Sequence, residues 1–254
     1  MWVLSEPGFE MYNEGRSAIG HALILETSGA ATERAIFDRI LNAVIEHRLK
    51  PGTKLTEESL VEIFGVTRGR VRKVLLLLSE HHVVQLQPNR GAFIASPTIE
   101  ETEALFEARR VVERGIVEIV AMLSRERREI ALDRLDEHLE AERDARRSCD
   151  HGRIIRLSGE FHTLLAELAG NSILTDILER LVRRTALGLA THADHNDTDC
   201  SPGDHTAIVE AIRHGDGERA ASLALHHLDH IKGLMGRRHE CPDPMHRALA
   251  RRAG

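Results

Sequence analysis

From Thr32 onward the apolar residues recur at helical spacing, and the breaks between runs carry cap and turn residues. In TERAIFDRILNAVIEHRL, the residues Ile36, Ile40, Leu41, Val44 and Ile45 share one stripe of a helix that the Pro51-Gly52 turn ends. A second helix is predicted from Thr56 to Phe64, with Thr56 as N-cap and Leu60, Ile63 and Phe64 on its apolar side. After Gly65-Val66-Thr67 a third helix, TRGRVRKVLLLLSEHH, starts on the Thr67 cap. Its first turns are basic and its later turns apolar. VVQLQPNRGAFIA then places two β-prone runs around Pro88-Asn89-Arg90-Gly91, a hairpin pattern in which Gly91 accepts positive φ. Beyond Thr98 the strand period disappears, and six amphipathic helices are predicted near 98–124, 127–148, 151–169, 172–193, 204–214 and 216–235. Gly170-Asn171 and Gly215-Asp216 each read as a helix-ending glycine followed by an N-cap.

Helix, helix, short turn, helix and hairpin within about 65 residues is the order of a winged helix-turn-helix, whose third helix enters the major groove. The predicted fold is therefore mainly α. A winged helix-turn-helix with a small two-stranded wing occupies residues 32–97, and an all-helical bundle occupies 98–235. Residues 1–31 read as an arm with a short helix around Ala18 to Leu25, and 236–254 as a basic tail. The 3% aromatic share in 254 residues argues against a β-sandwich.

Charge sharpens the division. The chain carries a formal charge of -6, but residues 32–97 hold ten Lys/Arg against seven Asp/Glu, so the wing segment is +3 and the remainder -9. Cys149, Cys200 and Cys241 match neither a CxxC pair nor a compact zinc-ligand set, which suits a reduced, cytoplasmic chain. Glu6 and Pro7 precede any apolar run of export length, and no stretch offers eighteen uncharged apolar residues, so neither a signal peptide nor a membrane span is expected.

The stretch LKPGTKLTEESLVEIFGVTRGRVRKVL with VVQLQPNRGAFIA resembles the DNA-binding domain of the GntR family of bacterial transcription regulators. EARRVVE at 107–113, EFHTLLAELAGN at 160–171, DHTAIVEAIRHGD at 204–216 and HHL at 226–228 resemble the FCD type of effector domain. The resemblance implies that Arg68 and Arg72 contact bases or phosphates, that Thr67 reaches a phosphate through its hydroxyl, and that Arg90 and Gly91 approach the minor groove through the wing. Arg68, Arg70 and Arg72 also fall in the first turns of the third helix, where a helix N-terminus and guanidinium forks suit DNA. Two departures stand out: Arg70 occupies a position where the family often has Pro, and His82 replaces the usual Gly after the recognition helix.

In the effector domain the family's metal-binding members use an Asp and a His one turn apart and two later His. Here His162, His205 and His227 match the histidine positions, while Ser158 stands at the Asp position, four residues before His162 on the same helix face. A neutral hydroxyl is a poorer divalent-metal ligand than a carboxylate. Three imidazoles and an open position suit zinc, nickel or manganese without separating them. Among the chain's sixteen histidines, the pairs His226/His230 and His192/His195 are further candidate ligands. Arg109, four residues before Glu113, matches a pocket arginine of the family. It would pair with an acidic effector or, alternatively, form a surface ion pair on its helix.

The expected function is that of a homodimeric, cytoplasmic transcription regulator, a repressor, that reads a palindromic operator. A small carboxylate held at Arg109 and Ser158, with a divalent metal at the histidines, would shift the relative placement of its two wings. One alternative is a metal-dependent enzyme built on the helical bundle, because three histidines and an open position also serve hydrolysis. Another is a wing protein whose effector site has decayed.

Overall fold

The computed structural model describes residues 32–193 and 203–235. The predicted arm with its short helix, the tail, His195, Cys200 and Cys241 lie outside the described residues; Cys149 is a free, exposed thiol.

Threonine hydroxyls start each helix of the N-terminal module. Thr32 caps α1 (Glu33–Ile45), Thr56 caps α2 (Glu57–Phe64) and Thr67 caps α3 (Arg68–Glu80), each accepting from a backbone N–H three residues on. The hairpin follows as β2 (Val84–Gln87) and β3 (Gly91–Ile94), paired antiparallel, with Asn89 and Gly91 at positive φ in its turn. One correction concerns the wing, which has three strands rather than two. The two-residue β1 (Lys54–Leu55) pairs with the outer side of β3, Lys54 opposite Phe93 and Leu55 opposite Ala92. A strand of two residues is too short to show a period of two. A second correction concerns the first helix, which stops at Ile45, ahead of the Pro51-Gly52 turn. His47 takes a φ of 59°, and the Leu49 N–H bonds back to the Ala43 carbonyl, closing the helix end. His82 plays the same part after α3, at a φ of 57°. A side chain there costs about 1 kcal/mol that glycine avoids. Ile36, Phe37, Val71, Val74, Leu78, Val83 and Ile94 close the core of this module.

The six predicted helices of the bundle form close to their expected bounds, as α4 (Ile99–Ala121), α5 (Arg125–Arg147), α6 (His151–Leu168), α7 (Ser172–His192), α8 (Asp204–Arg213) and α9 (Gly217–Lys232). Thr98 and Glu101 form a reciprocal capping box on α4, Asn171 and Asp216 cap α7 and α9, and Gly170 and Gly215 take positive φ just before those caps. Their core gathers Ile116, Val120, Leu135, Phe161, Leu165, Leu178, Ile208 and Ile212. Among the described residues no helix is long and apolar enough to cross a membrane.

Helix α7 joins the two cores. Its Leu187 is 1% exposed and packs into the core of the wing module, while its Leu178 and Val182 pack in the bundle. Arg183 bonds to Glu179 on the same helix and contacts His81 at the end of α3, Nη1 to Nδ1 at 3.1 Å. His81 packs edge-on against Phe37, and burial together with Arg183, Arg180 and Arg34 pushes its pKa down, so it remains a neutral acceptor. Gly188 lets α7 touch α4, because a Cβ there would stand 2.9 Å from Thr102 Cβ and closer still to its methyl and hydroxyl. Gly188→Ala should therefore destabilise the protein by about 1 to 3 kcal/mol in urea unfolding, and Thr102→Ala added to it should recover part of that loss, because the methyl and hydroxyl leave while the Cβ at 2.9 Å stays. An undiminished midpoint in Gly188→Ala alone would contradict this packing.

Candidate functional site

Five of the six helices of the bundle contribute to one cluster. His162 comes from α6, His205 from the first turn of α8 and His227 from α9, and one ring nitrogen of each lies within 4.8 Å of the others. Their exposures are 2%, 3% and 0%. Each ring is aimed by a carboxylate on its Nδ1: Glu113 from α4 at 2.8 Å for His162, Glu142 from α5 at 2.8 Å for His205, and Asp204 at 3.1 Å for His227. An ionised carboxylate only accepts, so each Nδ1 carries the proton and each Nε2 presents a lone pair inward. Phe161 stacks on His205 at 3.9 Å and fixes its plane.

This arrangement is unstable without something between the rings. His205 Nε2 and His227 Nε2 are 3.0 Å apart, and the buried His162 Nε2 has no hydrogen-bond partner. Two lone pairs at that distance repel unless a cation or a proton separates them. Nitrogens bound to one metal at about 2.0 to 2.1 Å sit close to this spacing. The donor set therefore fits a divalent metal that favours imidazole. Electrostatics agree. Burial opposes ionisation of Glu113, but Arg109 and His162 hold its pKa down to about 2. Glu142 is likewise kept ionised, against burial, by hydrogen bonds from His138 and His205. His227 is pushed down to about 3 by burial, against the pull of Asp204, and burial lowers His162 despite Glu113.

Arg109 is the surprise relative to the surface ion-pair alternative. It is 3% exposed, its Nε donates to Glu113 at 2.6 Å, its Nη1 donates to Thr185 of α7 at 2.9 Å, and its Nη2 is buried without a partner. A cavity of about 80 Å³ opens beside it, lined also by Ser158, His162, Thr185 and apolar residues such as Val182 and Leu189. Ser158 is buried, so the structure brings both predicted effector residues to the same cavity as His162. A larger groove of about 700 Å³ runs along α8 and α9, but its polar residues Thr206, Glu210, His214, Asp216 and Arg219 are exposed, and none of the predicted residues reaches it. His226 is exposed, and His230 lies 3.5 Å from Asp204. His192 bonds to the Pro97 carbonyl, so these residues do not form a second cluster among those described.

The other predicted site is the start of α3. Arg68 and Arg72 are 63% and 68% exposed and pair with Glu58 and Glu57 of α2, at 3.5 and 2.8 Å. Thr67 accepts from the Arg70 N–H at 3.4 Å, which leaves its own O–H able to donate. Arg70 turns toward Glu33 of α1, as does Lys73, and so stands apart from the other two. In the wing, Arg90 and Lys54 both lie over the Phe93 ring, next to Gly91. Sequence reasoning missed Lys54 and Phe93, whose approach depends on β1, and it missed Glu142 and Asp204 as partners of the histidines. The spacing of His138 and Glu142, one helical turn, was the available signal.

A winged helix-turn-helix joined to a helical bundle, with a largely apolar cavity that also carries Arg109, Ser158 and His162, combines a DNA-binding module with a ligand-binding type of module. Residues 32–94 match the model of the gntR family of bacterial regulatory proteins, and residues 104–230, half of the chain, match the FCD domain. The chain belongs to the GntR family, with an FCD effector domain, and is a DNA-binding transcription regulator. It is 25% identical over 197 residues to the uncharacterized HTH-type transcriptional regulator YdhC of Bacillus subtilis, covering 76% of this chain and 86% of that one. It is also 25% identical over 195 residues to the HTH-type transcriptional repressor RspR of Escherichia coli, covering 76% and 84%. The crystal structure of a transcriptional regulator from a Rhodococcus species superposes with a TM-score of 0.69 at 24% identity, over 79% of this chain and 95% of that one. These relatives are regulators, and none supports the alternative of a metal-dependent enzyme.

The buried cluster dictates a pH response. Below about 6.5 an unfolded His227 binds a proton that the folded one, at about 3, does not, and below about 4.5 the same holds for Glu113 at about 2. In both cases the unfolded state binds more protons, so stability falls as pH falls, first through the histidine window and then through the glutamate window. In chelator-treated protein the urea midpoint should drop steadily from pH 7 to pH 4, and His227→Gln should flatten the upper part of that drop. A midpoint independent of pH would contradict the buried neutral imidazole.

Proposed function

We propose that this regulator is a homodimeric, cytoplasmic repressor that binds a palindromic operator and releases it when a small carboxylate enters the cavity of the helical domain. The observation that carries the effector half is the buried Arg109, whose Nη2 has no hydrogen-bond partner and whose side chain lines a cavity together with Ser158 and His162. An anion with a planar two-oxygen face satisfies such a donor. RspR of Escherichia coli and NanR of Cronobacter sakazakii, 25% and 29% identical to this chain, are named repressors, which supports the sign of regulation.

A divalent metal, zinc, nickel or manganese, would be held by His162, His205 and His227, and when bound it supplies a positive centre for the effector's oxygens. Thr67, Arg68, Arg72, Arg90 and Gly91 form the DNA face, with Arg70 at its margin. Glu58, paired to Arg68, is exposed and Glu57, paired to Arg72, is half-buried; surface pairs of this kind contribute about 1 kcal/mol or less, so DNA exchanges them readily. Val111, Gly115 and Ile119 form one stripe on α4 that continues to Met122 at its C-cap, with Val111 and Met122 78% and 79% exposed. A second copy of the chain fits that stripe, and two wings then bind two half-sites with the gain that effective concentration brings.

Arg68→Ala and Arg72→Ala should each cost about 1 to 3 kcal/mol of operator affinity where the side chain reads a base. Where it contacts a phosphate, the loss is shared by non-specific DNA and the salt slope falls by about one. Binding of an operator selected from random DNA measures both, and an Arg68→Ala/Arg72→Ala protein with native affinity would refute the interface. The metal reading has its own check. Ser158→Asp, one turn before His162, should tighten zinc or nickel binding at least about tenfold in calorimetry, a change of about 1.4 kcal/mol. His227→Ala should remove the gain; equal affinities in native and Ser158→Asp protein would leave the histidines with a structural role.

A further inference from the structure

The three carboxylates behind the imidazoles are not equivalent. Glu113 is matched by Arg109, whose Nε donates to it at 2.6 Å. The Asp204 side chain is 19% exposed, so water screens it in part, and it faces His230 as well as His227. Glu142 of α5 has neither relief. Its side chain is 7% exposed, and among the described residues its ion-pair partners are two imidazoles, those of His205 and His138, and no arginine or lysine. We infer that Glu142, held by His138, is a positioning residue for the metal: acting through His205, it supplies a buried negative charge that the ligands themselves lack and that a cation between the Nε2 atoms neutralises. This assignment rests on the metal reading above and adds to it a residue that touches no metal yet sets how tightly one is held.

The pair is built into the site from several sides. Glu142 Oε1 accepts from His205 Nδ1 at 2.8 Å, while His138 Nε2 lies 3.5 Å from the same oxygen and 3.0 Å from the Leu157 carbonyl of α6. Both neighbours of that nitrogen only accept, so it carries its proton and steadies the carboxylate against His205. The His138 ring leans on Phe161 with centroids 6.1 Å apart, and Phe161 stacks on His205 at 3.9 Å. Ring, carboxylate and ligand thus form one packed unit across α5, α6 and α8. The ligand atoms bring no charge of their own: three imidazoles converge, and among the described residues no carboxylate oxygen joins them. A buried carboxylate partnered by imidazoles alone is costly. A cation on the far nitrogen of His205 strengthens the Nδ1–H bond to Glu142 and offsets that cost, and the carboxylate in return raises the basicity of Nε2. Glu142 therefore favours the metal-bound protein and burdens the metal-free one, an opposition that a purely structural acid does not show.

The test uses the full-length chain, freed of metal by chelation and titrated with zinc and with cobalt(II) against a competing chelator. Glu142→Gln keeps an oxygen that accepts from His205 and removes the charge. It should weaken both metals about tenfold or more and leave the visible bands of bound cobalt at their native positions, because the ligands are unchanged. In metal-free protein its urea midpoint should equal or exceed the native one. His138→Phe keeps the packing on Phe161 and loses the donor, so its affinity should fall between native and Glu142→Gln. If Glu142→Gln binds zinc as the native protein does, or if its metal-free midpoint drops, Glu142 serves the fold and the assignment falls while the metal reading stands. Displaced cobalt bands would make Glu142 a ligand itself and overturn the assignment as well. If the native protein binds neither metal, both readings fall.

Discussion

Three lone pairs forced to face one another inside a protein are the constraint around which the bundle is organised. The rings of His162, His205 and His227 cannot turn away, because Glu113, Glu142 and Asp204 each hold an Nδ1–H from behind. Those carboxylates are themselves costly to bury, and Arg109 compensates only one of them directly. The three carboxylates and Arg109 sum to -2, with the imidazoles neutral. A divalent cation between the Nε2 atoms would cancel that charge and relieve the repulsion together. Without one, the same groups make the bundle sensitive to acid. The six helices are thus packed around an electrostatic need as well as around Phe161, Ile208 and their neighbours.

Helix α7 connects this need to the DNA-binding module. Its Thr185 accepts from Arg109, its Val182 and Leu189 line the cavity beside Arg109, and its Leu187 and Arg183 pack against the wing module through the core and through His81. Gly188 holds it against Thr102 of α4, so the helix has little freedom to shift at one point alone. A ligand that draws Arg109 away from Thr185 acts on a rod whose neighbouring residues touch the other module. Such adjacency makes coupling feasible. Its size would be set by the difference in a ligand's affinity for two placements of the DNA-binding module.

Much of the architecture was legible because local chemistry decides it. Threonines 32, 56, 67 and 98 cap the helices where the sequence placed them or just before the first apolar repeat, and Gly170 and Gly215 punctuate as their positions imply. The end of α1 was not legible, since a histidine rather than a glycine takes the left-handed turn, nor was β1, which exists only through its partner β3. At the site, the three histidines came from resemblance, and the structure gathers them with Ser158 and Arg109 around one cavity. The burial of Arg109 could not be read, because an arginine four residues before a glutamate has the same pattern on a wet face and in a core. The partnership of Glu142 with His205 spans 63 residues and is a property of packing alone.

Ser158 gives the site its particular character. In a cluster that already carries three carboxylates around its imidazoles, a fourth acidic side chain would raise the affinity for a cation but also crowd Arg109's cavity with fixed negative charge. A serine leaves that oxygen position to be filled from outside. If the proposed carboxylate and cation both bind, the carboxylate would meet the guanidinium of Arg109 on one side and the cation on the other, and each would make the other's binding more favourable. Linkage requires the coupling to be reciprocal: an effector that tightens the metal is tightened by it to the same extent. On the proposed reading, serine in place of aspartate would shift the site from holding metal by itself toward holding metal and ligand as a pair.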